Sequence, residues 1–124
     1  MPQDFSEGKP IFQQIAERME DAVLSGAFPE DGQLPSTTEI SAAYRINPAT
    51  ALHGITLLVE EGVACKRRGV GMFVCRGARE KIREKRRQSF YSEYVRTLVT
   101  EAEKLGIRKE EITAMIERGF NDEA

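Results

Sequence analysis

Apolar residues recur at Ile11, Phe12, Ile15, Ala16, Met19, Ala22 and Val23, the spacing of a helix with one buried face. Pro10 precedes them in a favoured first-turn position, Gly26 ends the run, and Pro29-Glu30-Asp31-Gly32 reads as a turn. Ser36-Thr37-Thr38-Glu39 has the form of a capping box and predicts a short second helix reaching about Tyr44. Asn47-Pro48 predicts the next start, with Asn47 as N-cap and Pro48 as the first helical residue. This third helix runs to Glu61 with Ala51, Ile55, Leu58 and Val59 inward and Gly62 as terminator. Its first turns present Asn47, Thr50 and His53, the chain's one histidine, away from that stripe.

The period then changes. Residues 63–75 read as two short strands around a turn, because Val63, Phe73 and Val74 favour extended backbone and Gly69 and Gly71 supply turn conformations. Arg76-Gly77 reads as a joint. A long helix begins at Arg79; its first part is almost all charge. Its second part sets Phe90, Tyr91, Tyr94, Val95, Leu98, Ala102 and Leu105 at helical spacing, and Gly106 closes it. A last helix over about 109–119 has Ile112, Met115, Ile116 and Phe120 inward, with Arg108 in place of the usual Ser or Asp cap.

Charge adds a function class. The net charge is −2, yet residues 62–87 carry ten basic and two acidic groups, whereas residues 1–61 carry ten acidic and three basic ones. A basic block in an acidic chain is a footprint for a polyanion; a solvated helix surface is the plain alternative. Hydrophobic content of 40% and charged content of 31% indicate a foldable, soluble chain. There is no apolar run of about 20 residues for a membrane span, and the acidic, polar first ten residues do not read as a secretory signal. One His and two Cys leave a zinc site short of a fourth ligand unless a carboxylate supplies it. Cys65 and Cys75 flank the hairpin; two buried, reduced thiols are expected in a reducing cytoplasm, with a redox switch as the lesser reading. No catalytic set and no cofactor motif is recognisable, so an enzyme is not expected.

Three helices followed by a two-stranded hairpin, with a tight connection into the third helix, make a winged helix-turn-helix. The third helix of such a fold enters the major groove, and the hairpin wing reaches the DNA backbone or minor groove. Lys66, Arg67 and Arg68 at the wing are candidate phosphate contacts. The pieces PIFQQIAERM, GQLPSTTEISAAYRINPATA, LVEEGV and RRGVGMFV, at their observed spacing over about residues 10–75, resemble the GntR-type transcription regulators. The short two-helix tail is similar to the YtrA-like branch, in which the tail pairs two subunits. The resemblance implies DNA contacts at the turn opening the second helix, with Ser36, Thr37 and Thr38 the candidates, and at the wing tip of Arg68, Gly69 and Gly71 with Lys66 and Arg67 alongside; the outward first turns of the third helix add Asn47, Pro48, Ala49, Thr50 and His53 as candidates. Two arginines common in the family are absent, Thr38 and Leu52 standing in their places, which implies shorter polar contacts and more use of backbone amides.

The expectation is a mainly α fold with a small β-hairpin wing. A winged helix-turn-helix domain over residues 1–76 is followed by a helical dimerisation tail over 77–124. The tail contact is assigned to Phe90, Tyr91, Tyr94, Val95, Leu98, Ala102, Leu105, Ile112, Met115 and Ile116, since two helices cannot bury such a stripe alone. The function expected is a bacterial, cytoplasmic, homodimeric regulator that binds a two-fold operator in double-stranded DNA, with repression the implied sign. A winged-helix protein-interaction module without specific DNA readout is the alternative. The small-molecule effector, if the chain has one, is not legible in the sequence.

Overall fold

The computed structural model describes residues 5–6 and 8–122, so part of the acidic N-terminal segment lies outside the described residues. The element order is α1 (Ile11–Ser25), α2 (Thr37–Tyr44), α3 (Pro48–Glu60), β1 (Ala64–Arg67), β2 (Gly71–Val74), α4 (Ala78–Phe90), a π-helical stretch (Tyr91–Val95), α5 (Arg96–Leu105) and α6 (Lys109–Asn121). Two compact units result, divided between Lys85 and Arg86.

The first unit carries the core. Ile15, Met19 and Val23 of α1, Ile40 of α2 and Ala51, Ile55 and Leu58 of α3 are buried with Leu34, Val63 and Val74. Gly54 lets α1 and α3 approach: a Cβ there would sit 3.0 Å from the Phe12 carbonyl oxygen and 3.1 Å from Ile15 Cγ2. The expected inward position of Val59 is not borne out. Leu58 takes the core position and Val59 is 41% exposed on the adjoining face. The first turns of α4 are more than a charged surface, because Ala78 and Ile82 are buried in this same core.

The caps explain where the helices start. Ser36 Oγ accepts the Glu39 amide at 3.0 Å, and the Glu39 carboxylate accepts the Ser36 amide at 2.8 Å. Asn47 Oδ1 accepts the Ala49 amide at 2.7 Å. Between α2 and α3 the chain turns through Arg45 at φ 55°. Ser41 Oγ donates to the Ile46 carbonyl at 2.6 Å and fixes that turn.

β1 and β2 pair antiparallel, Ala64 opposite Val74 and Arg67 opposite Gly71. The expectation of buried, reduced thiols fails: Cys65 and Cys75 are joined in a disulfide, and Cys65 is exposed. The reason is local. Cys65 lies on β1 and Cys75 one residue past β2, with Cα atoms 5.4 Å apart, within bridging range. A compartment argument takes no account of that spacing.

The second unit is helical. The single long helix read from the sequence contains a π-helical stretch at Tyr91–Val95, with helical backbone on both sides at Phe90 and Arg96. A π turn holds an extra residue, so it shifts the apolar stripe relative to an uninterrupted α-helix. Gly106, at φ 70°, ends α5. The Glu111 carboxylate accepts the Arg108 amide at 2.8 Å and so specifies the start of α6 without a capping side chain at Arg108. Within this unit Ala102 is buried, while Phe90, Tyr91, Tyr94, Leu98, Leu105, Met115, Ile116 and Phe120 are exposed. The expected inward side of α6 is therefore open on the single chain. No described helix is long and apolar enough to cross a membrane.

Candidate nucleic-acid interface

A concavity of about 1100 Å³ lies between the start of α2, the outer side of α3 and the wing. Pro35, Ser36 and Thr37 form one wall, Leu52, Ile55, Thr56 and Val59 the floor, and Lys66, Arg67, Gly69, Val70 and Met72 the other wall. Glu39 is the one carboxylate in the lining, and it is held by the Ser36 amide.

The wing is locked to the body by the turn that precedes α2. Residues 31–34 run along the free edge of β2: the Asp31 amide donates to the Val74 carbonyl, the Leu34 amide to the Met72 carbonyl and the Val74 amide to the Gly32 carbonyl, each at 2.8 Å. Gln33 Nε2 donates to the Val70 carbonyl near the wing tip at 3.0 Å. Gly71 is favoured at that point by its φ of 135°, and a Cβ there would also push aside the Gln33 amide, 2.7 Å away. Gly69, at φ 75°, faces open space at the tip.

The three wing cations are not equivalent. Arg67 is turned back onto the protein: its guanidinium lies 4.0 Å from the Phe73 ring centroid and 3.3 Å from an Asp31 carboxylate oxygen. The other Asp31 oxygen accepts from Arg76 Nε at 2.8 Å, and this bond and charge raise the Arg76 pKa. Lys66 and Arg68 are exposed and have no ion-pair partner among the described residues. Neighbouring Glu30 accepts the Gly77 and Arg79 amides at 3.0 and 3.1 Å, at the entrance to α4. These backbone bonds hold its carboxyl below the ordinary value of 4.5.

The sequence-predicted residues of α3 fall in two places. Asn47, Pro48 and Ala49 are exposed at its start. Thr50 is half-buried, and His53 lies toward α1 with its ring flat on Phe12, centroids 3.5 Å apart and planes 5° from parallel. The row that faces the concavity is Leu52, Thr56 and Val59, at helical spacing. Sequence reasoning had no signal for this, because which outer row faces inward depends on where the wing stands. Glu30, Asp31 and Gln33 were missed as well; their partners lie more than 35 residues away. Thr37 lies at the concavity, whereas Thr38 is exposed on the next position of the same turn.

Residues 11–74 match the family described as bacterial regulatory proteins of the gntR family. The chain is 26% identical over 103 residues to the HTH-type transcriptional repressor YtrA of Bacillus subtilis (strain 168), covering 83% of this chain and 78% of that protein. It is 27% identical over 112 residues to the HTH-type transcriptional regulator YhcF of the same organism, covering 90% and 91%. Among solved structures, a GntR-family transcriptional regulator from Bacteroides thetaiotaomicron superposes with a TM-score of 0.69 at 32% identity, over 90% of this chain and 96% of that one. The capped α2–α3 pair, the basic wing and these matches lead to one assignment: the chain belongs to the GntR family of DNA-binding transcription regulators.

Proposed function

We propose that this regulator acts as a repressor in the bacterial cytoplasm, binding a two-fold symmetric operator as a homodimer. The observation that carries the dimer is the open apolar side of the second unit, where Phe90, Tyr94 and Leu98 of one helix and Met115 and Ile116 of another stand exposed. A symmetric partner presents the same surface and covers it without a new sequence. Tyr91, Val95, Ala102, Leu105 and Ile112 complete that contact in this reading. Two recognition helices brought together in this way select two half-sites related by the same two-fold axis. Repression is supported by the similarity to YtrA, a transcriptional repressor, and by the simple steric effect of a dimer seated on a promoter.

Within each half-site, the first-turn amides of Thr37 and Thr38 and the exposed start of α3 meet phosphate, and Lys66 and Arg68 add charge from the wing. His53 and Thr50 act at the edge of the contact, with the His53 ring oriented by Phe12. The experiment is selection of bound sites from random duplex DNA, followed by measurement of stoichiometry. The expected result is an inverted repeat holding two chains. One chain on an asymmetric site contradicts the dimer, and no enrichment contradicts operator specificity. On the selected site, Lys66→Ala and Arg68→Ala should each lower the slope of log affinity against log salt by about 0.9, while Arg67→Ala should lower it less.

A further inference from the structure

We propose that Leu52, supported by Thr56, reads thymine methyl groups, so that this chain chooses its site by 5-methyl contacts on α3 rather than by bidentate hydrogen bonds. The inference rests on α3 being the element that enters the major groove. Leu52 is 54% exposed, and the core position next to it is filled by Ala51. Its side chain stands outside the core cluster, and with Thr56 and Val59 it forms the floor of the concavity.

The chemistry of α3 narrows what that floor can read. Pro48–Glu60 contains no Arg or Lys for the guanine edge and no Asn or Gln for the adenine edge. The amide side chain just before it, that of Asn47, is held by the Ala49 amide. What remains over the floor is aliphatic carbon and one hydroxyl. The thymine methyl is the base-edge feature in the major groove that aliphatic carbon recognises. The rim argues for DNA as the occupant: Lys66 stands in the wall and Arg68 beside it on the wing, which suits phosphates flanking an apolar base-edge contact.

The test uses the full chain and a duplex selected from a random pool, at one salt concentration. Each thymine is replaced in turn by deoxyuridine, which removes the 5-methyl group and leaves base pairing intact. At one or two thymines this should weaken binding about fourfold, the effect of burying one methyl group. Leu52→Ala should bind the parent duplex less well and lose that sensitivity; because Leu52 is exposed, the variant should keep its helical circular dichroism. If every deoxyuridine duplex binds like its parent, the inference is wrong while DNA binding stands. If Leu52→Ala keeps the wild-type sensitivity, the assignment to Leu52 is wrong. If the chain binds no duplex even at low salt, methyl reading and α3 as a DNA reader fall together, leaving the concavity to a protein partner.

Discussion

Leu58 and Leu98 are the same side chain on helices of similar length, yet one is 0% and the other 39% exposed. Around Leu58, three helices and the wing close on each other and bury Ile15, Ile40, Ile55 and Val74 with it. Around Leu98, tyrosines, Phe90, Val99 and the residues of α6 stay in contact with solvent. The first unit buries most of its apolar residues in one core and leaves Leu52, Val59 and Val70 open beside the wing. The second leaves its stripe exposed, and that exposure is the physical ground for the proposed dimer. Apolar periodicity alone does not separate the two cases, since both regions have it. What differs is whether other elements of the same chain cover the stripe.

The comparison can be broken by truncating both leucines. Leu58→Ala should destabilise the first unit by about 2–5 kcal/mol in urea denaturation. Leu98→Ala should leave that transition unchanged at dilution and weaken self-association instead. Equal losses in the two variants would mean that the second unit is as self-contained as the first.

The wing offers the next largest effect. The disulfide closes a short loop between Cys65 and Cys75 at a sequence separation of 10. Its reduction, or Cys75→Ser, should lower stability by about 2–3 kcal/mol. Denaturation with and without reductant measures this; identical midpoints would show that the crosslink is not present in solution. A smaller effect is expected at the end of the first unit. Lys85 bonds both Glu20, which is 1% exposed, and Glu61, at 3.0 Å in the latter case. Burial pulls the Lys85 pKa down, but the two carboxylates outweigh it and hold it above 10.5. A raised pKa means that the contribution is complete below the unfolded value and is lost as pH rises through the folded one. Lys85→Gln should cost about 1–2 kcal/mol at pH 7, given its partial exposure, and should flatten the alkaline limb of the stability profile.

The smallest effect is at Glu30. Its pKa is lowered, so its contribution is present above the ordinary carboxylate value of 4.5 and lost as pH falls through the folded value. Glu30→Gln should therefore lower stability slightly above about pH 6, where the contribution is complete, and flatten the acid limb, with little effect below the folded value. A melting profile over acid pH that matches wild type would contradict the role of Glu30 at the start of α4.

What was legible in the sequence was local. The Ser36–Glu39 box, the Asn47–Pro48 start and the hairpin around Gly69 and Gly71 are written in residues a few positions apart, and the structure contains each of them. The site was legible as a set of elements but not as a surface. Arg67 reads as a free cation until Asp31 and Phe73 are placed beside it. His53 reads as fully outward until Phe12 is placed against its ring. Leu52 reads as a missing arginine until the wing gives the row at Leu52, Thr56 and Val59 a concavity to face. The π-helical stretch at Tyr91–Val95 has no marker in helical spacing, because one extra residue in a turn still leaves apolar positions three and four apart.

The central claim, that the second unit is completed by another copy, is tested most directly by sedimentation of the intact chain across micromolar concentrations. The account predicts the mass of two chains, falling to that of one when Phe90, Tyr94 and Leu98 are replaced together by serine, with the denaturation midpoint of the first unit retained. A wild-type chain that stays at 13.9 kDa throughout that range would contradict it.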